Sequence, residues 1–127
     1  MSHPTGTLTL QTIAMPGDTN ANGDIFGGWL MAQMDLGASV LARQRAAGRV
    51  ATVAVEAMTF LKPVRVGDVV SIYSVMEREG TTSMRLSVEV WVTRQPTGLR
   101  LQVTDAVFTF VAVDERGEKR ALPRAAP

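Results

Sequence analysis

An acid inside an apolar, helix-forming run is the first feature able to do chemistry. In "DIFGGWLMAQMDLGASVLAR" (24–43), Asp35 is the one charged residue between Asp24 and Arg43. Two readings stand. Asp35 is a structural acid, paired with an arginine or hydrogen-bonded to a neighbouring strand, or it is a proton acceptor, a task for which apolar surroundings suit a carboxylate near neutral pH. Seven residues earlier, Gly27 and Gly28 open the same run. The N–H groups of a helix's first turn have no intrahelical acceptors and carry the positive end of its dipole. Glycine leaves them uncovered. A carbonyl oxygen resting there would be polarised as in an oxyanion hole, worth about 10²–10³ in rate per donor. The bland reading of the pair is a tight turn or close packing. Gly28 and Asp35 are separated by about 10 Å along a helix axis, too far to act on one atom without a bridging substrate or water. A second subunit would supply what one helix lacks.

The elements that must position these residues are legible from periodicity. "TLTLQTIA" (7–14) alternates as a strand, and "PGDTNANGD" (16–24) is turn chemistry, in which Asn20, Asn22 and Asp24 read as turn and N-cap residues. From Gly27 to Ala47 apolar and small residues recur at helical spacing, with Gly48 as the stop. Gly28, Ala32, Asp35, Ala38 and Ser39 share one stripe. Trp29, Leu30, Met34, Leu36, Val40 and Leu41 fill much of the rest, which predicts a helix buried nearly all round. Four strands follow: 50–61, 68–79, 82–93 and 99–113. In the third, Met84, Leu86, Val88, Val90 and Val92 alternate with a mostly polar face; the fourth becomes apolar on both faces from Ala106 onward, as in a strand covered on both sides. Short connections after the helix give a β-α-β-β-β-β order and an α+β fold, an antiparallel sheet of about five strands with one long helix packed on it.

Composition narrows the function further. A chain of 127 residues, 46% apolar with a net charge of +1, fits one domain, 1–127, with a short flexible N-terminus (1–6) and a C-terminal tail from about 115 to 127. No charge run marks a nucleic-acid partner. The absence of cysteine excludes thiol catalysis and disulfides, and a single histidine, His3 near the terminus, excludes a Ser-His-Asp triad and a His-rich metal site. No apolar stretch reaches the roughly 18 residues of a membrane span and no signal-peptide pattern opens the chain, so a cytoplasmic protein is expected.

The segments "AMPGDTNANGDIFGGWLMAQMD", "GRVATVAVEAMTFLKPVRVGDVV", "GTTSMRLSVEVWV" and "TDAVFTFVAVDERGEKRALP" closely resemble the YciA-like bacterial acyl-CoA thioesterases of the hotdog superfamily. The resemblance runs from about Leu10 to Pro123. It implies a hotdog fold, a curled sheet wrapped around the long helix, assembled as dimers and, in this branch, as hexamers built from three dimers. It implies hydrolysis of acyl-CoA to free acid and CoA, with no cofactor beyond the coenzyme A of the substrate. Asp35 then matches the family's catalytic acid, Asn20 its asparagine facing Asp35 of the neighbouring subunit, and Gly28 the carbonyl-holding N–H, with Gly27 the near alternative. Water activated by Asp35 or direct attack by Asp35 are both compatible. For the CoA phosphates the candidates are Lys62, the hairpin Gly80, Thr81, Thr82 and Ser83, and Arg120. For the acyl chain they are Phe26, Trp29 and Met58. Met58, Phe60 and Trp91 also read as surplus apolar groups or as core. Two rivals stand beside this function: a hotdog dehydratase, which a lone His3 disfavours, and a non-catalytic acyl-CoA sensor or scaffold.

Overall fold

The computed structural model describes residues 3–124; residues 1–2 and 125–127, the extreme ends of the expected flexible termini, lie outside it. Five strands and one long helix follow the expected order: β1 (Thr7–Ile13), α1 (Gly27–Ala46), β2 (Val50–Phe60), β3 (Val69–Glu79), β4 (Ser83–Arg94) and β5 (Leu99–Ala112). The sheet is antiparallel throughout, in the order β1-β3-β4-β5-β2. β1 and β2 are therefore its edges.

Period-two alternation decides which face packs. Met84, Leu86, Val88, Val90 and Val92 of β4 are all fully buried, as are Val103 and Phe108 of β5, and this face receives α1. The helix contributes Leu30, Met34, Gly37, Ala38, Ala42 and Ala46. Gly37 sets the closeness of the approach: a Cβ there would lie 2.7 Å from Ile72 Cγ2. The all-round burial predicted for α1 does not occur within one chain, because the sheet covers one side only. Met31, Leu36 and Val40 stay 40%, 56% and 37% exposed.

β2 departs most from a core strand. Val53, Val55 and Phe60 are 52%, 38% and 52% exposed, its outer edge has no strand partner among the described residues, and its ladder with β5 shifts register twice. β5 is an interior strand flanked by β4 and β2, as its apolar run implied. Of its two readings Trp91 takes the buried one: it is only 4% exposed, its indole N–H donates to Glu89 Oε1 at 2.8 Å, and the Arg100 guanidinium lies 5.8 Å from its ring. A cation covers the ring, so Trp91 is not surplus.

The expected free tail is also corrected over its described part. Asp114 closes a turn by accepting from the N–H groups of Arg116 and Glu118, Leu122 N–H donates to Thr81 O, and Arg45 donates to Pro123 O. Leu122 packs against the core.

Candidate active site

The segment before α1 is built by its turn residues. Asn20 Oδ1 accepts from the N–H groups of Asn22 and Asp24, at 2.8 and 3.1 Å, an Asx-type turn, while Asn20 N–H donates to Asp24 O. Among the described residues the Asn20 amide NH2 has no acceptor, and the residue is exposed. A bridge between Thr19 and Ile25 and a bond from Phe26 N–H to Asp18 O tie this turn to the start of α1. The N-cap residue is Phe26, not Asp24, and among the described residues no side chain caps the helix start. Asp24 therefore keeps its turn role and loses its N-cap role.

That missing cap leaves donors unused. The first helix-turn bonds run from Trp29 and Leu30 N–H to Phe26 O, and the Gly27 and Gly28 N–H groups have no acceptor among the described residues. The two glycines differ in kind. A Cβ at Gly27 would lie 3.0 Å from the Phe60 ring, whereas at Gly28 it would meet only the Phe26 ring, at 3.4 Å. Packing accounts for Gly27. Neither crowding nor backbone strain demands glycine at 28, and its effect there is to leave an N–H open to a ligand.

Asp35 is half-buried on α1 and accepts a hydrogen bond at 2.5 Å, on Oδ1, from Thr52 Oγ1 of β2. Thr52 is the neighbour of Asp35 that sequence reasoning did not name; only the packing of α1 against β2 brings it there. Asn20 and Asp35 do not bond within the chain. The structure thus holds two groupings, Asn20 with Gly28 before and at the helix start, and Asp35 with Thr52 two turns along.

A groove of about 390 Å³ opens beside the helix start, lined by Ile25, Gly27, Leu30, Phe60, Leu61, Lys62, Pro63 and Val64. Of the expected acyl-chain residues, Phe26 flanks Gly28 and is 42% exposed, while Trp29 and Met58 pack against the core and do not line the groove. The wall 61–65 is anchored by a buried ion pair. Arg94 donates to both carboxylate oxygens of Asp68, at 3.0 and 2.8 Å, and to Pro63 O, while Asp68 also accepts from Arg65 N–H. Burial pushes the Asp68 carboxyl up, but the Arg94 guanidinium, the Arg65 N–H and the charges of both arginines outweigh it and hold it below the ordinary carboxylate value.

Of the expected phosphate contacts, Lys62 alone lies at this end. Gly80 to Ser83 form the β3–β4 hairpin beside the C-terminal end of α1, where Arg45 pairs with Glu79 and Thr82 O accepts from Ala112 N–H. Arg120 donates to Val113 O and to Ala46 O, the last residue of α1. That gives it a structural task, closing the carbonyl end of the helix, and withdraws it from the phosphate candidates. A 20-residue helix is about 30 Å long, so Lys62 and the hairpin stand a helix length apart within one chain.

Residues 22–98 match the family model of the thioesterase superfamily. Over 94% of this chain and 93% of the relative, the sequence is 58% identical to the acyl-CoA thioester hydrolase YciA of Escherichia coli (strain K12). A hexameric thioesterase from Yersinia pestis superposes with a TM-score of 0.92 at 55% identity, covering 97% of this chain and all of that one. A hexameric broad specificity acyl-coenzyme A thioesterase, solved as an aspartate-to-alanine variant, superposes with a TM-score of 0.92 at 57% identity over 94% of this chain and 88% of that one. With a hotdog architecture in which one long helix, opened by uncapped glycines, lies against a five-stranded antiparallel sheet, the chain belongs to the thioesterase superfamily, in its YciA-like branch.

Proposed function

We propose that this protein hydrolyses acyl-CoA thioesters, the carrying observation being the glycine-opened helix start whose N–H groups lack acceptors beside an apolar groove. Gly28 N–H holds the thioester carbonyl oxygen. Water attacks the carbonyl carbon as Asp35 takes its proton, and the charge that develops on oxygen rests on the helix-start donor. Collapse of the tetrahedral intermediate breaks the C–S bond, and the leaving thiolate of coenzyme A recovers the proton. Thr52 holds Oδ1 of Asp35 and leaves Oδ2 to meet the water. The exposed Asn20 amide orients the water or the carbonyl.

The two groupings of one chain are joined across copies in this reading. Gly28 and Asn20 come from one subunit, Asp35 and Thr52 from its partner, and the open, apolar edge of β2 supports such pairing. The hexameric state of the relatives is proposed for this chain as three such dimers. Lys62 then meets the CoA phosphates from one end, and Thr81, Thr82 and Ser83 reach them from another copy.

Release of free thiol from acyl-CoA esters, wild type against Asp35→Asn, tests the function. Loss of a positioned base costs about 10²–10⁴ in rate with the assembly intact. Binding without turnover by the wild-type protein would instead establish the sensor reading.

A further inference from the structure

The groove beside the helix start has a shape that bears on which thioesters are accepted. Its volume, about 390 Å³, is that of a small-molecule site. Its floor is made by Ile25, Leu30 and Val64, 7%, 3% and 1% exposed, and its outer wall by Phe60 and Leu61, 52% and 50% exposed. Every one of these side chains is hydrocarbon, so the groove takes an apolar group and rejects a polar one. Lys62 lines the rim and is exposed, with its aliphatic stem beside the groove and its ammonium in water.

The walls differ in rigidity. Residues 61–65 hang on the Arg94–Asp68 pair, and Ile25 N–H donates to Val64 O, which locks the floor to the segment before α1. The Phe60 backbone is held in register with Thr104 of β5, but its ring is half exposed and takes part in no such pair. It ends the edge strand β2, and its ring lies over Gly27, where even a methyl group would crowd it at 3.0 Å.

Resting on the thioesterase reading, we infer that this groove receives the acyl chain of the ester bound at Gly28, and that Phe60 is the wall that limits its length. Chain length is then limited by the walls of this groove, its half-exposed ring at the outer end and its buried floor below, and a range of chains is tolerated where the ring swings aside.

The test is kcat/KM on straight-chain esters from acetyl-CoA to palmitoyl-CoA for wild type, Phe60→Ala and Val64→Ala, with assembly followed by light scattering and inhibition by free coenzyme A as the control. In the wild type kcat/KM rises about fourfold per added methylene while the chain is being buried, then flattens or falls. Phe60→Ala moves that break to chains about two or more carbons longer and raises the long-to-short ratio about tenfold, with coenzyme A inhibition unchanged. Val64→Ala deepens the floor and shifts the break the same way without touching β2, so it decides the matter if Phe60→Ala disturbs assembly. Profiles of both variants running parallel to wild type, even at lower rates, overturn the inference. If wild type turns over no ester, the hydrolase reading falls separately, and the same panel read as binding affinity by calorimetry decides the pocket by the same shift or its absence.

Discussion

Two adjacent glycines at a helix start look alike in sequence and do different work in the structure. Gly27 makes room for the Phe60 ring, whereas Gly28 faces only the edge of Phe26 at ordinary contact distance. Alanine at 28 is therefore accepted by the fold without loss of stability. The same methyl group covers the approach to the helix-start N–H, so Gly28→Ala is expected to lose about tenfold or more in kcat/KM while its melting temperature holds or rises. Activity and thermal unfolding measured together check this; unchanged activity would remove Gly28 from the site. Asp35 and the glycine pair were visible from residue type and spacing alone, because an acid in an apolar run and glycine at a helix start both break local rules. Thr52 was not. Its value comes from a contact across 17 positions with Asp35, and a threonine in an alternating strand carries no mark of its own.

At the scale of elements, the loop between β2 and β3 holds the groove wall through Asp68 and Arg94, and this pair makes stability depend on pH. The Asp68 carboxyl is held below its ordinary value in the folded protein. Its contribution is therefore fully present above the unfolded value, about 4, and is lost as pH falls through the depressed folded value. Asp68→Asn leaves the half-buried Arg94 charged without its anion, a loss of about 1–3 kcal/mol at neutral pH. Thermal unfolding from pH 7 down to pH 3 should show the wild type losing stability in the acid limb and Asp68→Asn losing less there. Equal acid slopes would show that the pair does not carry the linkage. The strands were legible within a residue or two, since β4 alternates without a break in its buried set. Two features were not: Phe26 as the N-cap, which propensity disfavours, and the anchored tail. Each is decided by a contact that no local periodicity marks, namely Phe26 N–H to Asp18 O and Leu122 N–H to Thr81 O.

At the scale of the molecule, the chain leaves a second apolar stripe on α1 and a half-naked strand β2, and these go together with the proposed site, which is split into two groupings. A protein that completed its site within one chain would gain nothing from exposing Val53 at 52% and Val55 at 38% beside an unpaired strand edge. If β2 joins two copies, a charge on that edge should separate them without unfolding either, because Val53 is half exposed, at a register shift of the ladder. Val53→Lys is thus expected to shift the protein to a smaller species by light scattering while its far-ultraviolet circular dichroism is kept. Thioesterase activity should fall together with assembly, by at least as much as in Asp35→Asn, since the separated subunit holds Gly28 without the facing acid. A smaller species that retained full turnover would show that one chain carries a whole site and would place Asp35 and Gly28 of the same helix on one substrate through a bridging water.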